Sequence, residues 1–299
     1  MERPTCGFLV LDKPAGLTSH ACVSRVRRAY GLRRVGHGGT LDPAVTGVLP
    51  LALGSATRLL PYLSGEKAYR GVIQLGLRTS TDDLQGDVLE RCPPPSCELA
   101  DLHALLSGFE GLIQQRPPRV SAVHVDGERA YRRARRGEVL QLPPRPVTID
   151  QLQLLQFDPE RGRLSVAVRC SAGTYIRSLA RDIGEALGCG GCLAELRRTA
   201  ALGFDLDQSV PLAALDTAPL PPLLDPLASL AAWPHQTLQS DQIDAWRCGR
   251  RLQAIPELRA SLLPEIPVVI LMPCGELAGM ARYDADGWLQ PRLVVPASG

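Results

Sequence analysis

The chain lacks a decisive charge. Its 33 basic and 31 acidic residues leave a net charge of +2 at pH 7, so composition alone does not single out nucleic acid as a partner. No apolar run approaches the ~20 residues that span a bilayer, and no basic flank precedes a long apolar stretch at the start. No membrane association and a cytoplasmic location are therefore expected. Lysine is nearly missing: Lys13 and Lys67 are the only two, and every other basic residue is arginine. Nine cysteines, an odd number scattered without a secretion signal, make no disulfide framework and are expected reduced. Cys189 and Cys192 have the local spacing of a zinc pair, but Cys92 and Cys97 are far away in sequence, and structural zinc takes two tight pairs. No metal is expected.

What is present suits a folded protein. A hydrophobic content of 45% over 299 residues supports a sizeable core and a division into two domains. Gly7 to Asp12 reads as a strand closed by the turn at Pro14 and Gly16. A helix follows, with Ser19 as its cap, Cys22, Val23, Val26 and Tyr30 on one face, and Gly31 as its stop. Residues 35–43 are glycine-dense and read as a loop, and Val48 to Leu53 as a strand. Period-two alternation marks strands at Tyr69 to Leu77 and around Leu164, Val166 and Val168. Ile176, Leu179, Ala180, Ile183 and Leu187 recur at helical spacing. Helices and strands mix without a βαβ beat, which favours an α+β fold. A proline-rich connector, 211–234, precedes three short strands near Val268, Leu277 and Trp288. Domains are expected at 1–235 and 236–299.

Several residues invite chemistry. Asp42 sits in the glycine-rich loop, where backbone can approach a ligand closely, although an Asp before Pro is also an ordinary turn residue. His37 lies in the same loop. Arg177 falls in the first turn of a helix, where the macrodipole disfavours a cation. Either a carboxylate from elsewhere in the fold compensates and is held ionised by the arginine, or the guanidinium reaches into water. Tyr69, beside Lys67, is a core aromatic or a stacking surface for a base. Residues 79–87 gather three carboxylates; with Gly86 and threonines beside them they read as a hydrogen-bonded turn rather than a magnesium site. Eight arginines lie between Arg116 and Arg145, Arg132, Arg133 and Arg136 among them. They suit phosphate contact, or form a solvated face.

These segments together resemble the TruB family of tRNA pseudouridine synthases. The resemblance is carried in order by Leu11-Asp-Lys-Pro14, Gly36-His-Gly-Gly-Thr-Leu-Asp-Pro43 with Thr46-Gly47, Lys67-Ala-Tyr69, Thr79 to Gly86, Arg116-Pro-Pro118 with Ser121-Ala122, and Gly173-Thr-Tyr-Ile-Arg177. It implies a pseudouridine synthase fold, with a mixed, mainly antiparallel sheet flanked by helices and a small C-terminal β-rich domain similar to a PUA domain.

The resemblance also implies roles. Asp42 matches the nucleophile, Arg177 its partner, Tyr69 the aromatic that stacks on the uracil, and His37 the residue that helps disrupt the T loop. Lys13 and Pro14 match a motif that supports the active-site loop, and Leu196 an apolar residue under the base. Residues from about 116 to 145 match a mobile insertion that closes over RNA, placing Arg132, Arg133 and Arg136 among the expected RNA contacts, to which Lys67 of the Lys67-Ala-Tyr69 motif is added. The implied reaction is isomerisation of uridine 55 in the T arm of tRNA by base flipping. It needs no cofactor and no protein partner, and a monomer is expected. Four positions depart from the family pattern: Gly38, where Thr is usual, Ser80 for Asp, Val120 for Tyr, and Pro61 within a segment that is otherwise helical. An RNA chaperone would not need Asp42, and a metal-dependent nuclease would rest on Asp82, Asp83 and Asp87.

Overall fold

The computed structural model describes residues 6–121, 123–125, 127–130, 133, 136, 138, 142–261 and 263–295. A ten-stranded mixed sheet runs in the order Val210–Pro211, Gly7–Lys13, Thr46–Leu53, Gly191–Ala201, Lys67–Leu75, Arg163–Cys170, Arg145–Asp158 and Gly111–Gln115, with Val35–His37 and Phe204–Asp205 attached at its side. The ladders are antiparallel except for two short parallel pairings, Gly7–Lys13 with Val210–Pro211 and Thr46–Leu53 with Gly191–Ala201. This is the fold class the sequence predicts.

The first strand reads Gly-Phe-Leu-Val-Leu rather than alternating, and its burial explains the pattern. Leu9 and Leu11 pack with Cys22, Val23 and Val26 of the helix Ser19–Tyr30, while Phe8 and Val10 face the opposite way, against Val269, Met280 and Leu293. Both faces are covered, one by a helix and one by a second sheet. That five-stranded sheet runs His235–Thr237, Pro267–Leu271, Leu277–Tyr283, Trp288–Val294, Leu252–Gln253, and makes a β-rich C-terminal unit. Its first and last strands, three and two residues long, are too short to leave an alternating signature.

On the other half of the main sheet, the helix Ile176–Ala186 lays Ile176, Leu179, Ala180 and Ile183 over Ile73, Leu164, Val166 and Val168. Each fully buried aliphatic contributes about 1.5–3 kcal/mol. Leu196 touches both this cluster and the one under the first helix. The site described below opens beside it, where the helical cover divides.

Three local expectations need correction. Residues 35–43 are not all loop: Val35–His37 pairs antiparallel with Thr46–Leu53, Val35 opposite Leu53 and His37 opposite Leu51. Glycines lower strand propensity, but pairing and burial of Val35 override it. The helix cap is Thr18, whose hydroxyl accepts from the Ala21 N–H, rather than Ser19. The strand from Lys67 ends at Leu75, because Gly76 turns at φ 76° and starts a separate hairpin, Leu77–Thr79 with Val88–Arg91. Pro61 lies in the short 3₁₀ helix Leu60–Tyr62, after another at Gly54–Arg58. Its ring cannot continue an α-helix.

Candidate active site

The backbone around residue 42 is held from both sides. Ser19 Oγ, 2% exposed, accepts from the Leu41 N–H at 2.8 Å and donates to the Leu41 carbonyl at 3.1 Å. On the other side the Pro43 carbonyl accepts from Lys13 Nζ at 3.1 Å and from the Gly16 N–H at 2.8 Å. Lys13 is fully buried, also donates to the carbonyls of Pro14 and Leu17, and loses basicity through burial. One cation and one hydroxyl thus fix the residues on either side of Asp42, and its side chain is left 46% exposed.

Facing it is Arg177, the second residue of its helix, with no acidic residue in that first turn. Its side chain is only 10% exposed, and its Nη2 lies 3.0 Å from Asp42 Oδ2. The same guanidinium donates to the carbonyls of Thr81 at 3.1 Å and Val120 at 3.0 Å, and its Nε is 3.6 Å from Asp83 Oδ2. The unfavourable helix position is offset by two carboxylates and two carbonyls. Asp83 in turn accepts from Thr81 Oγ1 at 2.6 Å and from the Gln85 N–H at 3.0 Å, and neighbouring Asp82 pairs with Arg181 at 2.9 Å. Asp82 and Asp83 are therefore committed to arginines. No cluster of three or more His, Cys, Asp or Glu is arranged to hold a metal ion among the described residues.

Asp42 and Arg177 line a cleft of about 830 Å³, with Arg70, Leu84, Leu155 and Leu196 along its walls. Tyr69 does not line it. Tyr69 is 7% exposed and lies directly across the strand pair from Arg198, a fully buried arginine that donates to the carbonyls of Val48 at 2.7 Å and Gly39 at 3.1 Å. Burial raises the Tyr69 phenol pKa, against the opposing effect of Arg198. His37 is half-buried. Its Nδ1 accepts from the Gly39 N–H at 3.3 Å, and burial, then Arg198 and His20, hold its pKa below the ordinary value. Lys67 is likewise pulled down by burial and then by Arg198.

The insertion places its arginines differently. Arg136 pairs with Glu128 at 2.7 Å and Glu138 at 2.8 Å, and Arg133 with Glu138 at 2.7 Å. Arg132 lies outside the described residues.

Two glycines account for local differences from the family pattern and for the loop's placement. A Cβ at Gly38 would stand 2.0 Å from Leu202 Cδ1, so Leu202 fills the space of the missing side chain. Gly47 adopts φ 104°, and a Cβ there would sit 2.1 Å from the Arg198 carbonyl oxygen, so only glycine lets these two strands meet. Ser80 accepts from the Asp87 N–H, and Val120 contributes its carbonyl, which any residue supplies.

Sequence reasoning missed Arg198 and the use of Ser19 and Asp83. Arg198 was detectable: it stands two residues after Leu196 in a strand, on the face that Leu196 turns toward the cleft, a charge where an apolar residue is expected.

Comparison with known proteins identifies the family. The model of the TruB family pseudouridylate synthase N-terminal domain matches residues 27–176, and that of the tRNA pseudouridylate synthase B C-terminal domain matches 177–221. A tRNA pseudouridine synthase B from Parasynechococcus marenigrum (strain WH8102) is 60% identical over 98% of both chains. One from Synechococcus sp. (strain WH7803) is 57% identical, again over 98% of each. Among solved structures, the archaeal box H/ACA sRNP Nop10–Cbf5 complex is 25% identical, with a TM-score of 0.72, covering 99% of this chain and 88% of that one. With an Asp–Arg pair set in a cleft of this fold and near-full-length relatives at such identity, the chain belongs to the TruB family of pseudouridylate synthases, which are isomerases.

Proposed function

We propose that this protein converts uridine 55 in the T arm of tRNA to pseudouridine, with Asp42 as nucleophile. The reading is carried by the asymmetry of the central ion pair: the cation is buried and held by four acceptors, while the anion projects into a cleft. A nucleophile needs that arrangement, oriented by a fixed neighbour yet open to substrate. A purely structural pair would hide both partners.

The reaction breaks the bond from ribose C1′ to uracil N1, turns the base and joins C1′ to C5. The proton lost from C5 balances the one gained at N1, so no redox partner or cofactor enters the equation. Asp42 serves either by attack at C1′ or along a glycal path. The uridine must first leave the loop stack, which costs a few kcal/mol. Leu196 beneath the base would offset part of that, and Tyr69, which does not line the cleft in the free protein, would add about 1–3 kcal/mol once the flipped base reaches its ring. His37 would hold the T loop open, Lys13 would keep the Asp42 loop in place, and Lys67, Arg132, Arg133 and Arg136 would meet phosphates. The cleft volume fits the ~300–1,000 Å³ range of ligand sites. We assign catalysis to residues 1–235, including the insertion at about 116–145, and a supporting RNA contact to 236–299, in a protein acting as a monomer.

The test is positional. Unmodified tRNA transcripts incubated with the purified protein should acquire pseudouridine at position 55 and nowhere else in the T arm. Modification at another position, or none, contradicts the assignment.

A further inference from the structure

Arg198 is the largest charged side chain with no exposure at all, and no carboxylate pairs with it among the described residues. Its neighbour Arg197 takes Asp12 instead, at 2.7 Å. A buried cation without an anion is costly, and charge-assisted hydrogen bonds offset only part of that. The acceptors it has are informative. Arg198 lies in the central strand directly opposite Tyr69 on one side and opposite Gly47 on the other. Its backbone is wedged against Gly47, where a side chain would clash with the Arg198 carbonyl. From that fixed origin, with the Tyr69 side chain as its cross-strand neighbour, the guanidinium donates to the Gly39 carbonyl three residues before Asp42 and the Val48 carbonyl six residues after it.

We propose that Arg198 is a positioning residue that ties Tyr69 and the 39–48 segment together and so sets the distance between the Tyr69 ring and the Asp42 carboxylate. This deepens the function proposed above and rests on it. Lys13 and Ser19 hold Pro43 and Leu41, the residues on either side of Asp42, whereas Arg198 stands across the strands from Tyr69 and is bonded to the 39–48 segment. A planar guanidinium with five donors can serve several acceptors in different directions, whereas an ammonium on a flexible stem cannot hold the same geometry.

The test uses Arg198→Lys, Tyr69→Phe and the double variant, comparing single-turnover pseudouridine formation on a full tRNA transcript with tRNA Kd. Arg198→Lys should slow the single-turnover rate about 100-fold, the loss expected from a misplacement on the order of 1 Å, and leave Kd within about twofold. Tyr69→Phe removes only the hydroxyl beside Arg198 and should slow the step about tenfold. The double variant should be no slower than Arg198→Lys, because both changes break one linkage. A native-like rate in Arg198→Lys, or losses that multiply in the double variant, overturns the proposal. If Arg198→Lys does not fold, an unchanged rate in folded Tyr69→Phe overturns it equally. Failure of the underlying function is separate: then the native protein itself forms no pseudouridine.

Discussion

Arginine is used in two opposite ways in this molecule. Around the cleft, Arg177 and, behind it in the sheet, Arg198 are buried and bonded largely to backbone carbonyls, which cannot move without moving the fold. In the insertion, Arg136 is 53% exposed and its partners are glutamate side chains. Exposed ion pairs of that kind contribute little to stability and weaken with salt, so phosphates can replace the glutamates at little cost. The same side chain therefore serves as a fixture where it is desolvated and as an exchangeable contact where it is wet. Lysine survives at Lys13 and Lys67, and only Lys13, fully buried, is bonded like the cleft arginines, to three carbonyls.

The comparison sharpens first at Arg177. Replacing it by Met leaves Asp83 and two carbonyls without their donor, so unfolding stability should fall by about 3 kcal/mol, read from urea denaturation, and turnover by about 10³-fold. A variant that keeps native stability would mean that the buried arginine is no fixture. The insertion should behave in the opposite sense. Arg133→Ala with Arg136→Ala should leave stability and single-turnover rate nearly unchanged, while tRNA Kd rises roughly tenfold and the slope of log K against log salt becomes shallower by about two contacts. An unchanged salt slope would remove these arginines from the RNA surface.

The smallest effect is expected at His37. Its pKa is lowered in the folded state, mainly by burial, so the unfolded chain binds the proton more readily. Its contribution to stability is therefore complete above the unfolded value of ~6.5 and is lost as pH falls through the lower folded value. The slope cannot exceed about 1.4 kcal/mol per pH unit for one proton. Comparing the pH dependence of stability in native protein and His37→Gln should show that component disappear from the variant below pH ~6.5. An identical profile in both would mean that the ring is not desolvated as the structure has it.

Much of this was legible in the sequence because the information is local. A cation at Arg177 in a helix's first turn calls for an anion, and the loop holding Asp42 is marked by its own glycines and proline. The fold class followed from alternation in strands such as Lys67–Leu75. What escaped was set by register between distant strands. Nothing near residue 198 announces that it faces Tyr69 and Gly47, since that depends on which strands become neighbours. Val35–His37 escaped for a related reason: three residues with a central glycine become a strand only because Thr46–Leu53 offers them a ladder. Ser19 was misread as a cap because its hydroxyl answers to Leu41, 22 residues on, while Thr18 does the capping.

The account as a whole depends on the carboxylate of Asp42 doing chemistry rather than binding. Asp42→Asn keeps the shape of the side chain and removes its charge, and the variant should be mixed in excess with a tRNA transcript while product and binding are followed together. The account predicts no pseudouridine after many native half-times, with tRNA Kd within a few-fold of the native protein. Product formation at a measurable fraction of the native rate would contradict it.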